Sequence, residues 1–447
     1  MKRISMFVLL LSLMGAILFA GGGKEDASKG KTEPVEVSGP VKITVWHPRG
    51  AGPNGEQIAK SVKEFNETNG KQIVVEEVYQ GNYPTTLSKV VQACAAGTNP
   101  TMAVLERAAG VPYMYEQGLL LDMMPYAKRD NFDTKNYPDA LMYYCIHNGE
   151  LISLPYVRST PVFYYNKKLF AQAGIKNPPK TIDDLIAAGK KLTKVGPDGK
   201  TQIYGFSMNI DAAWYVQNMT YQLGSNMLSE DGNSAPSLYD GVLLKVLKAW
   251  RQWVDEGWCK APEVLQGPTK MKEAFAQGYI ACIMESTGSM GGILRNAKNT
   301  GVDVGIAFLP TWDKPSAPVG GGNIAIIGRN TTPQEQAAAW EFIKFLMTDK
   351  QVAENSVNTG YLPASKTSVN QKIVQDLWKE HPQYKTAFEQ LAIAQEIPWS
   401  PYKSQYEEQM NRICGKLIQD RNISAEEAIK ELQAEAEQIL PKKPKVK

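Results

Sequence analysis

Val41-Lys-Ile-Thr-Val-Trp46 alternates apolar and polar side chains with the two-residue period of a half-buried strand. The segments immediately after it decide the fold class. Ile58, Val62 and Phe65 recur at helical spacing, and Gly70 stands where a helix C-cap belongs. Ile73-Val-Val-Glu-Glu-Val-Tyr79 is β-branched and predicts a second strand, and the spacing then predicts a helix over about Thr85 to Ala96. Thr101-Met-Ala-Val-Leu105 is apolar nearly throughout, as a buried third strand is. Strand, helix, strand, helix, strand implies a mostly parallel sheet covered by helices.

The same alternation returns further along. Val162 to Tyr165, Ile203 to Phe206, Tyr279 to Glu285, Val302 to Leu309 and Ile324 to Ile327 are predicted strands. Thr181-Ile-Asp-Asp184 has the form of a capping box opening a helix to about Leu192, and Ser424-Ala-Glu-Glu427 caps the last helix. Helices are expected over about Ala212 to Leu223 and Leu238 to Glu256, and the chain is mainly helical from Thr332 onward. More than 400 residues exceed what one core usually serves, so two domains are expected.

The ends are of a different character. Lys2 and Arg3 precede an apolar run from Met6 to Ala20, which is about 15 residues and short of the roughly 20 that span a bilayer. This is the form of a signal peptide over residues 1–20, with cleavage expected after Ala20 and an extracytoplasmic or periplasmic destination. Residues 21–40 are expected to be a flexible linker, and 441–447, Pro441-Lys-Lys-Pro-Lys-Val-Lys447, a solvated basic tail. The formal charge is +3, and loss of Lys2 and Arg3 brings it to +1 (3 − 2), which gives no electrostatic case for nucleic acid.

The sequence carries no Walker loop, HExxH, GxSxG elbow or EF-hand loop, and Gly288-Ser-Met-Gly-Gly292 lacks the lysine of a phosphate loop. Cys94, Cys145, Cys259, Cys282 and Cys414 are scattered with no CxxC, leaving one disulfide or buried thiols open. His47, His147 and His381 show no metal-ligand spacing. Asp183-Asp184 and Glu426-Glu427 sit in helix first turns, where they complement the dipole. Neither a cofactor nor an enzyme is indicated. In open α/β sheets ligands bind outside the carboxyl ends of the strands. That rule marks Glu106, Ser286 and the junction Gly320-Gly-Gly322.

Several short motifs share an order and spacing: Trp46-His47, Gly81-Asn-Tyr83, Ser159-Thr-Pro-Val-Phe-Tyr-Tyr-Asn166, Pro178-Pro-Lys-Thr181, Phe275-Ala-Gln-Gly278 and Gly360-Tyr-Leu-Pro363. Together they make the chain resemble the family 1 extracellular solute-binding proteins of ABC importers over nearly its whole mature length. The resemblance implies an α/β, two-lobed periplasmic-binding-protein fold with a hinge and an interdomain ligand cleft. The lobes are expected at 41–158 plus 310–350 and at 159–309 plus 351–440. It implies a small polar ligand, an ABC permease as partner, and action as a monomer. Carried over residue by residue from members that take glycerol phosphate, the ligand-binding set is Tyr83, Glu106, Ser159, Ser286, Gly322, Tyr361 and Arg412. Ile182 departs from the pattern, standing where a tryptophan follows Pro-Pro-Lys-Thr, which implies a pocket wall that is wider or less aromatic.

That set has a chemical logic. A phosphate monoester needs donors, which Arg412, Ser159, Ser286, Tyr361 and the Gly322 N–H supply. Glycerol hydroxyls donate, and Glu106 with Tyr83 suits them. Glycerol-3-phosphate or a related glycerophosphodiester is therefore the expected ligand. A neutral sugar is the alternative within the class, with Trp46, Trp214, Tyr215 and Trp399 as aromatic platforms. A secreted hydrolase and a sensor partner are the remaining readings.

Overall fold

The computed structural model describes residues 33–210, 212–263 and 265–443. The expected signal peptide, most of the expected linker and the last four residues of the basic tail lie outside the described residues.

The first sheet runs Gly322–Ile326, Met102–Glu106, Val41–His47, Ile73–Tyr79. The last three strands are parallel, with Val41 opposite Ile73 and Val45 opposite Met102. Gly322–Ile326 pairs antiparallel, placing Gly322 opposite Glu106. The two-residue period divides the side chains between two faces. Met102, Val104, Ile324 and Ile326 pack with Ile58, Val62 and Phe65 of the helix Pro53–Thr68 and with Trp340 of Pro333–Leu346. Ala103, Leu105 and Ala325 face Leu87 and Val90 of Tyr83–Ala96 and Val111 of Gly110–Glu116.

The second sheet runs Val304–Ala307, Pro161–Asn166, Ile280–Ser286, Thr201–Met208, Lys194–Val195, with Cys259–Lys260 also paired to Thr201–Met208. Phe163, Phe206 and Met284 face a core built with Trp250, Tyr406 and Leu432. Val162, Tyr164 and Ile283 face Phe275 and Ile293. Thr181 and Ser424 cap their helices with the reciprocal boxes read from sequence. All five cysteines are buried free thiols.

Three segments sit otherwise than expected. Residues 34–40 are docked rather than linking freely. Val35 and Val37 pack on the first core, and Gln334 bonds both Ser38 N–H and the Glu36 carbonyl. Trp312 packs on the second core, whereas helix Asp349–Thr359 is bonded to the first lobe through Ser61–Gln351 (2.8 Å) and Asn358–Gln57 (2.7 Å). Sequence period places neither, because an amphipathic segment buries its face against whichever lobe is at hand.

Asp130 joins the elements beneath the first core. It accepts from Arg129 Nε at 2.7 Å and Trp340 Nε1 at 2.9 Å, and it pairs with Lys344. The Arg129 guanidinium holds its carboxyl far below the usual range, with Lys344 and Trp340 adding and burial opposing. A depressed carboxylate pKa stabilises the fold above the unfolded-state value near 4 and loses that contribution as pH falls through the folded value. Asp130→Asn should therefore cost about 2 kcal/mol at pH 7. By urea denaturation, its deficit against the parent should shrink steadily below about pH 4.

Candidate functional site

The ends of the strands converge where the two sheets meet. Residues 157–159 and 320–322 run side by side: Val157 N–H donates to the Gly322 carbonyl at 3.0 Å, and Ser159 and Gly320 exchange bonds at 3.1 and 2.8 Å. The glycines are demanded by this approach. Gly321 has φ +109°, and a Cβ there would sit 2.3 Å from the Val157 carbonyl oxygen. On Gly320 a Cβ would meet Trp214 at 2.7 Å, and on Gly322 the Tyr83 hydroxyl at 2.6 Å. The Gly320 N–H is thus spent on Ser159 rather than offered to a ligand.

Around this crossing the structure gathers Tyr83, Glu106, Ser159, Ser286, Gly322 and Tyr361. Glu106 ends its strand and accepts the Ala108 N–H at 2.8 Å and the Ala109 N–H, which locks the following turn. Ser286 Oγ accepts the Gly288 N–H at 3.1 Å, leaving its own proton to donate. Ser286 stands opposite Pro161, and Thr287 N–H donates to the Thr160 carbonyl at 2.9 Å, which ties it to Ser159. Tyr361 leans on Gly288, where a Cβ would meet its ring at 2.6 Å. Burial pushes the Tyr83 hydroxyl pKa well up, with the nearby Tyr361 raising it and Arg49 opposing. Tyr83 therefore stays protonated and able to donate.

Arg412 is not in this group. Met410, Ile413 and Leu417 turn one face of helix Lys403–Gln419 into the core, so Arg412 lands on the opposite face. There it is 45% exposed and bonds Glu431 at 2.8 Å and Glu435 at 3.0 Å. Ile182 is also elsewhere. It is buried in the second core and starts its helix, so it widens no wall of the cleft. Of the aromatics considered, only Trp214 touches the crossing. Trp46 packs behind the first sheet, Tyr215 is buried facing Glu285, and Trp399 stacks on His147 at 3.9 Å.

The residue that sequence reasoning passed over is Arg49. It lies two positions beyond the strand Val41–His47, where the carboxyl-end rule would have marked it. Its guanidinium lies over the rings of Tyr156 (5.1 Å) and Tyr361 (5.2 Å) and is 3% exposed. His47 Nδ1 accepts the Arg49 N–H at 3.1 Å, so His47 holds its proton on Nε2, toward Glu77 at 2.6 Å. Burial lowers the His47 pKa, with the Glu77 bond opposing. Among the described residues no group of three His, Cys, Asp or Glu is placed to hold a metal.

The site thus gathers hydroxyls and tyrosine rings around the glycine crossing. A family model described as bacterial extracellular solute-binding protein matches residues 60–386. The chain belongs to this family. Its role is binding, not catalysis, and solute-binding proteins of this kind hand small ligands to ABC permeases. The sn-glycerol-3-phosphate-binding periplasmic protein UgpB of Brucella melitensis is 27% identical over 364 residues, covering 78% of this solute-binding protein and 81% of the relative. That of Rhizobium meliloti is 28% identical over 362 residues, with the same coverage. The fold matches UgpB from Mycobacterium tuberculosis, solved with glycerophosphocholine, at TM-score 0.78 and 22% identity over 90% of this chain and 98% of that one. Maltose-bound MalE3 of T. maritima also matches at TM-score 0.78, with 20% identity over 89% and 100%.

The glycine crossing yields a prediction. Gly322→Ala should push Tyr83 out of place and destabilise this solute-binding protein by about 1–3 kcal/mol, read by thermal and urea unfolding. Arg412→Ala should change stability by no more than about 1 kcal/mol, because its ion pairs are exposed.

Proposed function

We propose that this protein captures glycerol-3-phosphate or a related glycerophosphodiester in the cleft and delivers it to an ABC permease. The observation that carries the reading is the gathering of four hydroxyls, from Tyr83, Ser159, Ser286 and Tyr361, with the Glu106 carboxylate around Gly322. Phosphoryl oxygens accept from hydroxyls, and glycerol hydroxyls donate to a carboxylate. The names of the curated relatives support the same class. Binding proceeds by hinge closure. Asn54 Nδ2 donates to the Gly288 carbonyl at 3.1 Å, and Arg295 forks onto Glu56 with both contacts at 2.8 Å. Both link the first lobe to the second, and both part when the cleft opens. In this reading the chain is exported, cleaved after Ala20, and acts as a monomer outside the cytoplasm.

A neutral sugar is the second reading. It is favoured by Trp214, whose indole Nε1 is buried without a partner beside Ser159 and Gly320. An aromatic face with one directed donor suits a sugar ring.

Isothermal titration of the mature chain with glycerol-3-phosphate, glycerophosphocholine and maltose separates the readings. Saturable one-to-one binding of a phosphorylated ligand is expected, unchanged in Arg412→Ala. Heat with maltose alone overturns the phosphate assignment and favours the sugar.

A further inference from the structure

Three arginines are buried around the crossing, and their partners differ. Arg107 pairs with Glu396 at 2.8 Å and donates to the carbonyls of Val319 and Ala140. Arg158 donates from both terminal nitrogens, to the carbonyls of Val157, Gly322 and Leu141 and to Asn323 Oδ1 at 2.7 Å. Every terminal nitrogen of these two makes a hydrogen bond, and in each only Nε is buried without a partner.

Arg49 is not. Its Nε donates to the Asn54 carbonyl at 3.0 Å and its Nη2 to Asn355 Oδ1 at 2.8 Å, while Nη1 is buried with no partner. Among the described residues it makes no ion pair: its neighbour Glu77 is engaged by His47. Arg158 has no carboxylate either but spends both terminal nitrogens on oxygen acceptors, whereas at Arg49 desolvation opposes the charge and both N–H groups of Nη1 go unsatisfied, which is costly. An anionic oxygen is the acceptor that best satisfies such a nitrogen.

The geometry points to Arg49 as the anion anchor of the cleft: its Nη1, with the hydroxyls of Tyr83 and Tyr361, receives an anionic oxygen of the ligand's phosphoryl group. This deepens the glycerophosphate reading and rests on it. Asn54 and Asn355 fix the guanidinium plane from two elements, so little side-chain entropy is lost on binding. The Tyr83 hydroxyl, held protonated, adds a second donor. Tyr156 and Tyr361 lend their ring faces to the cation while the site is empty. The anchor sits in the loop after the first strand, so the phosphoryl end lies against the first lobe and the rest of the ligand extends toward Ser286 and Trp214.

The test is titration of glycerol-3-phosphate, glycerophosphocholine, inorganic phosphate and maltose into the mature parent and into Arg49→Gln and Arg49→Met. Circular dichroism and thermal melts report folding. Methionine keeps the packing against the two tyrosine rings should glutamine fail to fold. Both variants are expected to weaken the phosphorylated ligands by about tenfold or more, with any maltose binding unchanged. Undiminished phosphorylated-ligand binding in a folded variant overturns the anchor and leaves the proposed function standing. Equal weakening of maltose and phosphorylated ligands overturns it too, since the residue would then be structural. A parent that binds none of the phosphate compounds overturns both the anchor and the glycerophosphate reading.

Discussion

Everything at the site depends on two stretches of backbone that touch. Residues 157–159 and 320–322 lie so close that no side chain fits between them, and the hydrogen bonds of Val157, Ser159 and Gly320 hold them in register. Both stretches pass between the sheets, so this contact fixes how the strand ends of one lobe face those of the other. Gly322 is carried opposite Glu106 by the antiparallel ladder, and its bare face receives Tyr83. Ser159 is held beside Trp214 by the same pairing. A backbone contact does this well because its geometry is set by peptide planarity and three hydrogen bonds rather than by flexible side chains.

Charge is distributed around that contact by burial. Arg107 and Arg158 stitch loops from both stretches to neighbouring carbonyls, and desolvation pushes the Arg158 pKa down to about 10. They serve rigidity. Arg49, on the loop after the first strand, is positioned by Asn54, Asn355 and His47 yet keeps a terminal nitrogen, Nη1, unspent. The tyrosines complete the wall with polar tips on apolar bodies, which lets the cleft exclude water and still present donors.

At the mouth the lobes meet through small polar contacts, while small apolar clusters such as Ala108, Tyr144 and Ile397 join them deeper in. Asn54 with Gly288 and Glu56 with Arg295 span the mouth, and the latter pair is solvent-exposed, with a side-chain exposure of 50% on Arg295. Exposed pairs of this kind contribute little, about 0–1 kcal/mol.

Period and capping were enough to read the strands Val41–His47 and Ile73–Tyr79 and the helix Ile182–Leu192 from the chain, because those signals are local. The carboxyl-end rule marked Glu106, Ser286 and the junction holding Gly322, and a motif resemblance added Tyr83, Ser159 and Tyr361. The cation was the failure. Arg412 and Arg49 are equally basic on paper. The phase of one helix turns Arg412 out toward Glu431 and Glu435, while a loop folds Arg49 inward beneath two tyrosines. Likewise Ile182 reads as a pocket wall and packs as core. By itself the sequence determined the α/β class, the strand ends and the family, since each is written in short-range patterns. Only the tertiary structure decided which charges face the crossing, because a side chain's direction depends on what its element packs against, and no local pattern in the chain names that partner.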